Sequence, residues 1–385
     1  MKMMKAWVRP GYAGFLTLTA MLSGCGQYMP VAPVVKPAPQ NSPSPQFLYV
    51  ANGISSTVSG FSIDAASGAL TPVGPAVAAD EGSIYLAASP NGKFVYVANA
   101  ETNSSSVSAY TVNAATGVLT PTMPAAFKIT GDTQPFGITV DRTSSHVYTT
   151  NFNSISAFNI DRLTGALSDV PGTPVLLQKD ILPQSLTFSP NGQFLYMTGG
   201  ATNKVYAFSI NADGLPVTTD QPVAAGTFPI GIVAEPSGKF VYVVNWISDD
   251  VSRYTITPGT GALVPASATT SLGRGCGPQE LAVDPSSKFL FVSCPGFGSI
   301  AQLAIDPSTG ALTPLPVFSI STNAGPRGIA VDASGMFVYS ALQSLNRASG
   351  SAIGATGELK AIDNTPATGR DPLGVAIASP GRGIQ

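Results

Sequence analysis

One histidine, three cysteines and two tryptophans serve the whole 385-residue chain, and only 10% of it is charged. Each shortage closes off a class of function. With His146 alone there is no His-based metal cluster, and a Ser-His-Asp arrangement has a single candidate base. The cysteines, Cys25, Cys276 and Cys294, form no C-x-x-C-H haem attachment, and no cofactor is expected. Lys plus Arg total 19 against 21 for Asp plus Glu, a formal charge of −2. That balance excludes a nucleic-acid binder built on a basic patch, and it excludes a polyelectrolyte tail. After residue 24 no apolar run is long enough to read as a spanning helix.

What the chain has instead is glycine (40) and proline (33), both of which break helices. With 44% hydrophobic residues it can still bury a large core. A single large all-β unit satisfies both facts.

Residues 1–24 read as an export signal: Lys2, Lys5 and Arg9, then an apolar stretch from Gly11 to Leu22, then small residues. The junction Leu22-Ser23-Gly24-Cys25 resembles a bacterial lipobox, which implies that Cys25 becomes the lipidated first residue. Gly26 behind it matches the outer-membrane sorting pattern of Gram-negative lipoproteins. The expected address is therefore exported and lipid-anchored, on the outer membrane facing the periplasm or the cell surface, with lipid as the only membrane contact. Residues 25–46 hold Pro30, Pro33, Pro37, Pro39, Pro43 and Pro45, an extended spacer.

From residue 47 onward the chain repeats itself. The sharpest element is FLYVAN (47–52), FVYVAN (94–99), HVYTTN (146–151), FLYMTG (194–199), FVYVVN (240–245), FLFVSC (289–294) and FVYSAL (337–342). The starts lie 47, 52, 48, 46, 49 and 48 residues apart, a period that signals propellers or solenoids. Ahead of each run stands a short apolar strand and a turn such as Asn191-Gly192 or Ser237-Gly238, a hairpin signal. Behind it comes a third strand with a bulky slot (Phe61, Tyr110, Phe158, Phe208, Tyr254, Leu303, with Gly350 expected there in the last copy). A second turn then carries Gly68, Gly117, Gly165, Gly214, Gly261, Gly310 or Gly357, followed by Leu at the start of a fourth strand in most copies.

Four antiparallel strands, seven times over, predict a seven-bladed β-propeller across 47–385. Innermost strands are expected near Ile84, Ile138, Leu186, Ile232, Leu281, Ile329 and Val375. The first repeat lacks one ahead of Phe47, and the chain end supplies a spare, PLGVAIASP (372–380). The C-terminal strand is thus expected to complete the first blade and leave no open edge.

The frame P-x-x-I-A-x-x-P-x-G-K-F-V-Y-V-A-N resembles YVTN-type repeats and the seven-bladed lactonase family, which includes bacterial 6-phosphogluconolactonases and a fungal muconate-lactonising enzyme. The resemblance covers 47–380 and implies lactone chemistry at the entries to the inner strands. There the family carries a G-x-H-x-H-like and a G-P-R-H-like segment. This chain has Thr133-Gln134-Pro135-Phe136, Gly277-Pro278-Gln279-Glu280 and Gly325-Pro326-Arg327-Gly328, without those histidines. Near the mouth only Arg274, Arg327 and Arg370 are expected, few cations for a sugar phosphate.

Two function classes follow. One is a cell-envelope module that binds a small molecule or an envelope protein through the propeller face. The other is a lactonase-like hydrolase with a divergent site, with Glu280 as base and Arg327 as oxyanion donor. Trp246 follows the repeat Asn, and an aromatic there suits a stacking platform for sugar or peptide. His146 occupies the slot that is Phe in the other six copies, so packing is its expected role. Asp80, Glu81, Asn99, Asn151 and Asn245 carry oxygens that calcium uses, but Asn at the strand end belongs to the repeat and is expected to cap a turn. Cys276 and Cys294 flank one inner hairpin, in a compartment that permits disulfides, and a bridge between them is expected.

Overall fold

The computed structural model describes residues 44–101, 105–130, 134–316, 318–319 and 324–381. Cys25, the export signal and most of the spacer lie outside them. Seven antiparallel sheets stand around one axis, and each is built as the repeat dictates. The fourth blade, for example, runs Pro183–Phe188, Phe194–Gly199, Lys204–Ile210 and Pro216–Thr218 from the axis outward. In several blades the outermost strand is interrupted and resumes as a two-residue piece, such as Val223–Ala224 against Lys204–Val205.

The ring closes through chain ends far apart in sequence. Pro372–Ala378 pairs with Gln46–Asn52, matching Phe47 with Ala378 and Val50 with Val375. One blade thus draws its inner strand from the C-terminus, and each of the seven sheets has its inner strand.

Why the repeat holds its residues is visible at the seams between blades. Each second strand carries a fully buried aromatic at its third position, and in six blades it is tyrosine. Its hydroxyl crosses to the next blade and donates to the carbonyl of that blade's turn glycine: Tyr49 to Gly117, Tyr96 to Gly165, Tyr148 to Gly214, Tyr196 to Gly261, Tyr242 to Gly310 and Tyr339 to Gly68, at 2.7–3.0 Å. The sixth blade has Phe291 and forgoes the bond. The same glycines need their identity twice over. They sit at positive φ, 70° at Gly261, and a Cβ there would lie 2.3 Å from the Phe194 ring of the preceding blade. The repeat Phe therefore packs flat on a neighbour's turn.

His146 takes that Phe position, with its ring against Gly214 and Nδ1 2.9 Å from the Asp141 carboxylate. It is a packing residue far from the axis. Asn52, Asn99, Asn151 and Asn245 are buried and bond the hydroxyls of the adjoining strand, as in Asn151 Nδ2 to Ser154 and Ser156 at 2.9 and 2.8 Å. Asp80 accepts from Ser106 and pairs with Lys128 at 2.9 Å, while Glu81 is exposed.

One expectation needs correcting. The bulky slot pairs with the second position of the neighbouring strand, as Phe61 does with Leu48, and in the last blade Val338 pairs with Ser351, not with Gly350. Gly350 instead faces Tyr339, where a Cβ would sit 2.9 Å from the ring, and it is the counterpart of Gly60 opposite Tyr49.

Candidate active site

Inner strands enter from one face of the propeller, and five of them carry a register shift near their start, between Pro183 and Leu186, Pro229 and Ile232, Pro326 and Ile329, Ser83 and Tyr85, and Pro372 and Val375. A bulge of this kind re-aims the intervening side chains. The residue just before the first core apolar residue is Tyr85, Gly137, Ser185, Gly231, Glu280, Gly328 or Gly374, one per blade. All but Gly231 line a narrow axial throat of about 100 Å³.

The glycines in this ring are there for close approach. A Cβ at Gly328 would lie 2.5 Å from the Leu373 carbonyl oxygen and 2.7 Å from the Val375 amide nitrogen; at Gly137 it would lie 2.6 Å from the Gln184 carbonyl oxygen. Hydroxyls of the second strands lace the same backbones together: Thr150 donates to Gln184 O at 2.6 Å, Thr198 to Ile230 O at 2.7 Å and Ser340 to Gly328 O at 2.9 Å. Neighbouring inner strands are thus pressed against one another. Only at Tyr85 and Glu280 does a large polar side chain enter the throat.

These two meet. The Tyr85 hydroxyl hydrogen-bonds the Glu280 carboxylate. Enclosure by the throat wall pushes the Glu280 carboxyl up to about 7, against the bond from Tyr85 and the Leu281 amide, which pull it down. Burial raises the Tyr85 phenol, and the charges of Glu280 and Arg327 act on it in opposite directions. Arg327 therefore lies near the same hydroxyl. It is half-buried one residue above the throat, and its Nε donates to Gln343 Oε1 at 2.6 Å. Gln343 in turn donates to Asp371 at 2.7 Å, so the guanidinium is held from behind. Glu280 and Arg327 come from adjacent blades, and both charges act on the Tyr85 hydroxyl. Arg274 and Arg370 are exposed at the rim.

Tyr85 was not singled out from sequence. Taking Ile84 as the inner-strand marker put Tyr85 out of the ring; in the structure Leu86 pairs with Val97 as Leu281 pairs with Val292. Aligning S-I-Y-L (83–86) with P-Q-E-L (278–281) would have revealed it, since the second blade alone lacks the proline that anchors the frame.

The entry loop before Glu280 is stapled. Cys276 and Cys294 form a disulfide with Cα atoms 4.6 Å apart, and Asp249 accepts from the Gly275 and Gly277 amides at 2.7 Å each. Trp246 stands beside this loop on the same face, 43% exposed, edge-on to Phe228. Larger grooves exist at the periphery, of about 380 Å³ between the hairpins around Lys239 and Lys288 and about 540 Å³ around Arg253. In the first the Glu235 carboxylate is taken up by its own turn, accepting from Ser237, Lys239 and Phe240, and no carboxylate lines the second. Among the described residues no cluster of three or more His, Cys, Asp or Glu is placed to hold a metal.

The model of the seven-bladed β-propeller lactonases matches residues 52–375. Solved structures agree with the fold. The periplasmic gluconolactonase of Pseudomonas aeruginosa is 19% identical with a TM-score of 0.74, over 87% of this chain and 99% of that one. A Bacteroides uniformis protein provisionally described as a 6-phosphogluconolactonase is 19% identical, with a TM-score of 0.75 over 87% and 99%. A similarly described protein of Bacteroides fragilis is 21% identical, with a TM-score of 0.73 over 88% and 99%. No curated protein sequence matches the chain.

Proposed function

The chain belongs to the seven-bladed β-propeller lactonase family, and we propose that it is a hydrolase that opens an unphosphorylated sugar lactone at the axial mouth. One observation carries this reading: the single carboxylate in the ring of seven is held near neutrality by its enclosure and hydrogen-bonded by Tyr85, a tyrosine on which the braced Arg327 guanidinium also acts. A base is most effective when its pKa lies near the working pH. The Glu280 carboxylate takes a proton from water as the water oxygen bonds to the lactone carbonyl carbon. The Arg327 guanidinium stabilises the oxyanion that develops on the carbonyl oxygen. Collapse breaks the bond between that carbon and the ring oxygen, and the proton on Glu280 passes to the departing oxygen. Tyr85 orients the carboxylate throughout.

The lack of a phosphate follows from charge. A phosphorylated acid calls for several convergent cations, and of the three arginines expected near the mouth Arg327 is half-buried just above the throat while Arg274 and Arg370 face solvent. Work outside the cytoplasm is part of the proposal, supported by the Cys276–Cys294 disulfide, by the signal-like residues 1–24 and by a periplasmic relative. Lipid on Cys25 would tether it, and mass spectrometry of the mature N-terminus tests that: an unmodified thiol at Cys25, or an intact Met1, refutes the anchor. For the activity, a panel of lactones is decisive. Glucono-δ-lactone should be opened and 6-phosphogluconolactone should be a poor substrate. Rapid turnover of the phosphorylated lactone, untouched by Glu280→Gln, would overturn both the site and the substrate class. The envelope binding module without catalysis is what remains if no lactone is opened.

A further inference from the structure

Beside the throat lies a second built surface, and resting on the lactonase reading, we propose that it is a subsite for a further sugar ring, so that the preferred substrate is the lactone end of a di- or oligosaccharide. Its floor is the Trp246 indole. The indole is 43% exposed, and three arrangements keep it in place. Phe228 meets it edge-on with ring centroids 5.5 Å apart, and the Trp246 amide donates to the Phe228 carbonyl at 2.9 Å. Phe228 itself is held at φ 58°, a left-handed backbone that a residue with a Cβ adopts only under constraint, here with its amide bound to Asn203 Oδ1 at 2.8 Å. On the other side runs the glycine loop 273–277, clamped by Asp249 and the disulfide.

The loop leaves the indole uncovered because it has no side chain to place there: a Cβ at Gly277 would come 3.5 Å from the indole nitrogen. From Gly277 the backbone leads through Pro278 and Gln279 directly into Glu280, a span of at most about 10 Å. That is the reach of one or two linked sugar rings. A pyranose presents a C–H face that stacks on an indole and hydroxyls around its edge, and the path runs past Gln279, whose amide donates to the Gly277 carbonyl at 3.4 Å. A peptide would gain the same stacking but has no reason to enter the throat.

The test compares two lactones that differ by one sugar. With wild-type protein, maltobionolactone should show a KM about tenfold below that of glucono-δ-lactone, the size of a good aromatic contact. Trp246→Ala should bring the two KM values together, and Trp246→Phe should restore part of the gap; kcat for both should change little. A gap that survives Trp246→Ala, or no gap in the wild type, overturns the subsite. Calorimetric titration of the Glu280→Gln protein with maltobionic acid separates this claim from the lactonase reading. Binding lost on adding Trp246→Ala supports the subsite even if no lactone is hydrolysed, and absence of binding refutes it. Binding of an aromatic or proline-rich peptide at Trp246 in place of the sugar also refutes it.

Discussion

The seams between blades and the ring around the axis are made by the same repeat, yet they are used in opposite ways. At the seams nearly every copy keeps its residue: tyrosine hydroxyl to glycine carbonyl, Phe ring on glycine turn. The cost of departing is the same in each copy, because each seam closes against the next and one misfit strains a closed circle. At the ring the repeat asks only for something small, and glycine at 137, 231, 328 and 374 meets that demand. Where a blade departs from glycine it puts a side chain into the throat, and Glu280 and Tyr85 are the large departures. Symmetry makes the scaffold; loss of symmetry makes the chemistry.

The sharpest way to break the comparison is to restore the ring. Glu280→Gln should lower kcat on a sugar lactone by about 10²–10⁴, the range for removing a general base. In the wild type, kcat/KM should rise with pH and level off above about 7, where Glu280 is ionised; a flat profile from pH 5 to 9 contradicts the assignment. The same substitution should stabilise the fold. The folded carboxyl holds its proton to about 7 against an ordinary 4.5, so its favourable contribution is complete below about 4.5 and is lost as pH climbs through 7. Glu280→Gln should thus gain about 3 kcal/mol at pH 8 and almost nothing at pH 4, measured by denaturant melts. Equal effects at both pH values would show that burial does not act on this group.

The disulfide tests whether the stapled entry loop belongs to the scaffold or to the site. Cys276→Ser should cost about 3 kcal/mol in the chain-entropy account. Thiol titration of the unfolded, unreduced wild type should find neither Cys276 nor Cys294 free. Gly328→Ala asks whether glycine in the ring is a packing demand: the new methyl meets the Leu373 backbone, and about 2 kcal/mol of stability should go. A neutral result would mean that the inner strands separate easily. The mildest change is Tyr196→Phe, which repeats at one seam what Phe291 does naturally; it strands the Gly261 carbonyl, costs about 1 kcal/mol and should leave turnover alone.

Much of the scaffold was legible because a repeat is its own alignment. Seven copies showed which positions tolerate nothing else, and the surplus strand at 372–378 declared the closure before any coordinates. One reading missed by one residue, Gly350 for Ser351, and one by two, Ile84 for Leu86, and both lie where a copy has lost its anchor residue. A slip of two keeps the face of the strand but moves the ring position from Tyr85 to Ser83, and so Tyr85 went unseen. The candidate base and its cation were visible, and paired, as exceptions at the strand entries of adjacent blades; the tyrosine between them was not.

The amino-acid sequence by itself determined the number of blades, the pairing of strands, the joining of the chain ends and the packing role of His146, since each follows from periodicity that local hydrogen bonding enforces. Only the tertiary structure decided that Tyr85 and Glu280, almost two hundred residues apart in the chain, share one hydrogen bond. It also decided that Arg327, which acts on the same tyrosine, is braced through Gln343 and Asp371, and that Trp246 stands beside the glycine loop that leads to Glu280. The reason is geometric: a closed ring brings one position from every blade to a common axis, and proximity there depends on how far each neighbouring backbone lets a side chain in.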